Sequence, residues 1–190
     1  KEIEGNEYLG KCVTALDLSS GKVVRFVGNR QGAPMESPYC NKFHTLDLID
    51  IFVNEACPLL CQTENVLADY KHAENFGPYE GGIQEVYSLY TRNNLPESSY
   101  MLNYSYKLDD ISGYHHSLEI IPVSDLLIER KKCFFTYKGQ LKYFSLTDPE
   151  YIQAEDSSIF FENAYLAISI PTSNYNGNGY YKFVASVFPV

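Results

Sequence analysis

The side chains in this sequence that could do chemistry are five cysteines (Cys12, Cys40, Cys57, Cys61 and Cys133), four histidines and an excess of carboxylates. A nucleophilic cysteine needs a base beside it, and the candidate pairs are Cys40 with His44 and Cys57 with His72. Neither carries a recognised local signature, so no catalytic residue is assigned. In Cys57-Pro58-Leu59-Leu60-Cys61 one helical turn would bring the two thiols within bridging range. A Cys57–Cys61 disulfide is therefore expected first, with Cys12 and Cys40 as the remaining candidates for a second bridge. Cys133, between Lys132 and Phe134 in an apolar run, is left as the unpaired member.

Metal and cofactor chemistry find no pattern. Four-ligand zinc needs a second close cysteine pair, and Cys12, Cys40 and Cys133 are each isolated. His115 and His116, adjacent at the start of a strand, point to opposite faces. Carboxylates such as Asp109, Asp110, Glu119 and Glu162 could supply the acid and base of a hydrolase, the enzymatic alternative. No phosphate-binding loop, nucleophile elbow or zinc-protease motif accompanies them.

The formal charge of −9 argues against nucleic acid and anionic membranes, which reward Lys and Arg, and for a partner with a basic surface. The charge is uneven. Between Leu46 and Glu97 nine acids face two bases, a local net of −7, whereas Leu126 to Lys142 carries Arg130, Lys131, Lys132, Lys138 and Lys142 against Glu129. In a strand pair such a basic run reads as a solvated face. Of 17 tyrosines, eight fall between Tyr70 and Tyr114, overlapping the acidic quarter. Tyrosine offers stiff contact area with a polar tip, which suits a protein interface. The partner-binding candidates are thus Asp47, Asp50, Glu64, Asp69, Tyr70, Tyr79, Tyr87 and Tyr90.

The elements that must position these residues read mostly as strands. Lys11–Leu18 and Lys22–Gly28, joined across Gly21, form a hairpin. Asn29 to Asn41 is a loop holding Cys40. Phe43 to Tyr70 mixes helical and strand periodicity, and a short helical insertion is expected around residues 45–72. Asn75 to Gly82 is a loop, and Ile83 to Tyr90 begins a further set of strands. Ser99 to Leu108 alternates Tyr100, Leu102, Tyr104, Tyr106 and Leu108 on one face. His116 to Val123 is a strand whose Pro122 favours an edge or an end. Cys133–Tyr137 and Leu141–Ser145 make a second hairpin, and Ser158–Ile170 and Tyr180–Val187 close the chain.

The fold expected is a mainly β, antiparallel sandwich or barrel-like single domain over residues 1–190. The chain begins at Lys1 rather than Met, which suggests a leader removed upstream, so an extracytoplasmic setting, periplasmic or secreted, is expected. No window reaches the length of a membrane span, although a lipid anchor upstream of residue 1 is compatible with this reading. The function expected is non-enzymatic protein binding, most concretely an inhibitor or immunity-type lipoprotein that occludes a basic site on a toxin. The alternatives are the hydrolase above and a structural subunit of an appendage or capsid, with Tyr181–Val190 as its self-pairing edge.

Overall fold

β-Branched and aromatic residues are frequent in the strands of the second half, and the computed structural model, which describes residues 12–36, 41–93, 105–152 and 157–190, is mainly β throughout. The chain divides into two compact units, residues 1–59 with 63–94 and residues 60–62 with 95–190.

In the first unit, β1 (Val13–Leu16) and β2 (Val23–Phe26) form the expected hairpin, with Val13 opposite Phe26 and Leu16 opposite Val23. Asp17 organises the turn by accepting from the Ser19 N–H and from the Ser19 and Ser20 hydroxyls. Gly21 holds φ at 66°, and a Cβ there would collide with Asn93. Strand β5 (Asn65–Ala68) runs parallel to β2 and antiparallel to β4 (Val53–Ala56), so the sheet order is β1-β2-β5-β4. A separate ribbon pairs β3 (Asp47–Asp50) with β6 (Glu74–Pro78). Phe26, Met35, Val66 and Ala68 make the core, and Val13, Ala15, Val24, Ile49, Ile51 and Tyr70 pack on it.

Two local expectations are corrected here. The helical insertion around residues 45–72 is absent, because that stretch is β3, β4 and β5. Leu60, at φ 52°, sits in the left-handed region and so interrupts the helical turn that was to span Cys57 and Cys61. The unit's helix is instead α1 (Gly82–Asn93), over residues read as loop and strand. Ile83, Val86, Tyr87 and Tyr90 have the i, i+3, i+4, i+7 spacing of one helical face, and Ile83 is buried while the other three are half-buried.

The second unit opens with β7 (Lys107–Leu108), which pairs with β12 (Tyr180–Tyr181). Of the alternation expected from Ser99 to Leu108, residues 99–104 lie outside the described residues, and Tyr106 directly precedes β7. Five longer strands follow: β8 (Leu118–Glu129), β9 (Lys132–Tyr137), β10 (Gln140–Leu146), then a short helix α2 (Pro149–Ile152), β11 (Ile159–Ser169) and β13 (Phe183–Pro189). They close into a barrel of order β8-β9-β10-β13-β11, in which only β10 and β13 are parallel. Pro122 lies in the part of β8 paired with β11 alone, since β9 joins only from Ser124.

Leu126, Phe135, Leu166, Ile168, Ile170 and Val184 are the most deeply buried aliphatic and aromatic side chains of the barrel core. Asp148 ties α2 to the barrel, its carboxylate accepting from the Glu150 N–H at 2.9 Å and the Val187 N–H at 2.8 Å. The sheet of the first unit repeats part of the barrel's order: β1-β2-β5-β4 has the same antiparallel, parallel, antiparallel sequence of contacts as β9-β10-β13-β11.

Candidate functional site

Strand alternation sends Cys133, Phe135 and Tyr137 into the barrel and leaves Lys132, Phe134 and Thr136 on its outer surface. The hairpin register places Ser145, Tyr143 and Leu141 opposite these three. The outer face of β9–β10 is therefore solvated, and it carries Phe134, Tyr143 and Leu141 among Lys132, Thr136 and Ser145, with Tyr143 49 % and Leu141 74 % exposed.

The β7–β12 ladder adds to this face from distant parts of the sequence. Tyr106 stacks on Tyr143 with ring centroids 5.7 Å apart and planes 26° from parallel. Tyr181 follows at 5.9 Å from Tyr106, and Phe134 lies 6.1 Å from Tyr143. Lys132 Nζ sits 5.9 Å from the Tyr143 centroid, within cation–π range. Four rings and a cation thus form one platform, although Tyr106 is 45 % exposed and buries only part of its area within it.

The turn joining β8 to β9 is the second feature. Arg130 and Lys131 both take positive φ, 48° and 60°, as a tight two-residue hairpin turn demands. That conformation suits Asn-Gly and costs about 1–2 kcal/mol for each ordinary side chain. Two cations are held at the tip at the expense of the easier turn residues. The β9–β10 turn uses the more ordinary Lys138-Gly139, at φ 49° and 75°.

The partner-binding candidates are dispersed by the first unit. Asp47 accepts from the His44 N–H and from Asn75 Nδ2, and its side chain is only 5 % exposed. Burial works against its ionisation, yet these hydrogen bonds hold its carboxyl below the usual range. Glu64, 6 % exposed, lies 3.5 Å from the buried Arg25 guanidinium. Neither carboxylate faces outward, which removes both from any docking surface. Asp69 is bonded to His72 at 2.7 Å, which lowers its pKa, and Tyr79 donates to Glu85 at 2.8 Å. Tyr70 packs on the core, Tyr87 and Tyr90 are half-buried on α1, and Asp50 alone of the four acids is open on an outer face.

The cysteines are free thiols at Cys12, Cys57, Cys61 and Cys133, so the expected Cys57–Cys61 bridge is not formed in this structure, and Cys40 lies outside the described residues. Cys57 follows β4, its N–H bonded to the Asn65 carbonyl, whereas Cys61 is a fully buried member of the barrel core. Burial, aided by Asp148, pushes the Cys133 thiol up to about 12. Of the hydrolase carboxylates, Asp109 is exposed and paired with Lys107, Asp110 accepts from Ser112, and Glu119 is buried against His116 at 2.9 Å. Glu119 and Asp109 are therefore not a facing pair.

The sequence shows the basic run and the alternation around Cys133, but not that Tyr106 and Tyr181 join them, since that depends on a two-residue ladder between chain segments far apart. Among the described residues, no helix is long and apolar enough to cross a membrane. In comparisons with known proteins, the family described as a Dual OB-containing domain (DuOB) matches residues 6–187. No match was found among curated proteins or among solved structures.

Proposed function

The chain belongs to the Dual OB-containing family, and from that premise we propose that its second unit is a binding module for single-stranded nucleic acid. The reading is supported by where the platform lies. In a five-stranded barrel of this order, the face of the second and third strands and the loops after the first and fourth are where OB-folds take oligonucleotides and oligosaccharides. Here those elements are the Phe134–Tyr143–Tyr106–Tyr181 platform on β9–β10, the Arg130–Lys131 turn, and the Asn- and Tyr-rich segment between β11 and β13.

The chemistry fits the ligand. Unpaired bases stack on exposed rings whatever their identity, and cations beside the rings meet the phosphates. The single observation that carries the proposal is the partly exposed Tyr106–Tyr143 stack with Lys132 over it. Net charge points the other way, and both units are acidic, the first at −5 and the second at −4; the cations are local, with five bases to one acid in the hairpin from Leu126 to Lys142. The occluding-inhibitor reading is less favoured because it loses Asp47 and Glu64 to internal bonds.

Fluorescence anisotropy with labelled oligo(dT) and oligo(U) tests this. Binding of the single strands with a site of about 4–16 nucleotides is expected, with weaker binding of duplex. Equal affinity for duplex, or binding of a neutral oligosaccharide with none of oligonucleotides, contradicts it.

A further inference from the structure

The two units repeat part of one strand order but not one surface. On the first unit the strand pair equivalent to β9–β10 is β1–β2, whose positions turned away from the core are Thr14, Leu16, Val23 and the covered Arg25, with no aromatic ring among them. The exposed aromatic area of that unit is elsewhere, on the β3–β6 ribbon.

Ile49 and Ile51 pack inward on the core, so Leu48, Asp50 and Phe52 face out. The register sets Asp50 opposite Glu74, and the bulge between Asp47 and Ile49 brings Leu48 opposite Phe76 and Gly77. Leu48 on β3 is 37 % exposed and Phe76 on β6 62 %, and Phe52, two residues past the end of β3, is 73 % exposed and continues the run of outward positions. Two phenylalanines this exposed on one face are unfavourable for a free protein.

A second feature of the same face is also unfavourable in isolation. Like charges directly opposite on neighbouring strands repel, and Asp50 and Glu74 are such a pair. Among the described residues neither forms an ion pair. A cation placed between them would relieve the repulsion, and the flanking rings would bury against the apolar neighbours of that cation.

We propose that the outer face of β3–β6 docks a protein segment that carries a Lys or Arg between apolar side chains. Phe52 and Phe76 are its anchors, and Asp50 and Glu74 receive the cation. The site is independent of the nucleic-acid platform of the second unit.

The test uses the whole chain and a synthetic Lys-Leu repeat peptide, with Glu-Leu and Lys-Ser repeats as comparisons, followed by calorimetry. Saturable binding of the Lys-Leu peptide alone is expected. Phe52→Ser with Phe76→Ser weakens it at least about tenfold, a loss typical of removing interface anchors. Asp50→Asn with Glu74→Gln also weakens it while raising the melting temperature by about 2 °C, because the repulsion is gone. Glu162→Gln, an exposed acid of the barrel, leaves binding unchanged, and oligonucleotide affinity is unchanged throughout. The proposal is overturned if the Lys-Ser peptide binds as well as Lys-Leu, if the phenylalanine variants keep full affinity, or if the face instead mediates a concentration-dependent dimer of this chain that the phenylalanine variants abolish.

Discussion

Tyr106, before β7, stacks on Tyr143 of β10 at 5.7 Å, and the β7–β12 ladder rather than any local sequence signal brings them together. Lys182, the residue after β12, donates its N–H to the Tyr106 carbonyl at 3.0 Å and so fixes the segment that carries the upper ring. The aromatic platform therefore depends on a backbone connection as well as on its exposed rings.

The side chain of Lys182 is buried and titrates. Burial lowers Lys182 from 10.5 to about 8, against the attraction of Glu119 and with the help of Lys142. The unfolded chain keeps this proton up to its ordinary pKa, so between about pH 8 and 10.5 the unfolded state binds more protons and the Lys182 contribution to stability rises with pH. Lys182→Met lacks that rise. Its stability relative to the parent should fall by on the order of 3 kcal/mol across the window, measured by urea unfolding at a series of pH values. Opposing trends from Cys133 and Tyr151 are common to both proteins and cancel in the difference. A flat difference contradicts the assignment.

The Arg130–Lys131 turn predicts a trade between stability and binding. Replacing it by Asn-Gly relieves two left-handed side chains and should stabilise the protein by about 1–2 kcal/mol. On the proposed function the same change removes two cations that meet phosphates, so the slope of log affinity against log salt for oligo(dT) should become shallower by about 1.4. Unchanged salt dependence would place the turn outside the ligand path.

Asp148 is a structural carboxylate that caps α2 and holds β13 by two hydrogen bonds. Asp148→Ala leaves the buried Val187 N–H without its acceptor and should cost about 2–4 kcal/mol, read from thermal or urea unfolding. A loss below about 0.5 kcal/mol would mean that another acceptor replaces it.

Thiol accessibility follows burial. Cys12 is exposed and should react with a thiol reagent in the native protein, whereas Cys61 and Cys133, each 0 % exposed, should react only on unfolding. Cys133 is protected twice, because its raised pKa also removes the thiolate. Rapid native labelling of Cys133, followed by mass spectrometry, would contradict the barrel packing.

Strand-level features were legible where a periodic signal was long or a turn was explicit. The hairpins around Gly21 and Lys138-Gly139 and the β11 run could be read directly, because alternation and turn chemistry are local. The helix of residues 82–93 is not legible because Ile83, Val86, Tyr87 and Tyr90, all β-branched or aromatic, are residues that strands also favour in a short run. The insertion expected near residues 45–72 failed for a different reason. Leu46 and Leu60 both adopt positive φ, which no propensity anticipates for leucine, and these breaks separate strands where a continuous apolar stripe suggested a helix. At the site, Lys132 and the basic turn were visible as charge, but their meaning depended on the ring of Tyr106 that long-range pairing sets beside them.

The measurement that bears most directly on the account is the affinity of Tyr143→Ala for oligo(dT), taken alongside its melting temperature. Tyr143 is 49 % exposed, so the fold should survive its truncation. Losing one stacking ring is expected to weaken binding by about 1–3 kcal/mol, roughly five- to 150-fold, with little change in melting temperature. Full affinity in a folded Tyr143→Ala protein would contradict the claim that this face reads unpaired bases.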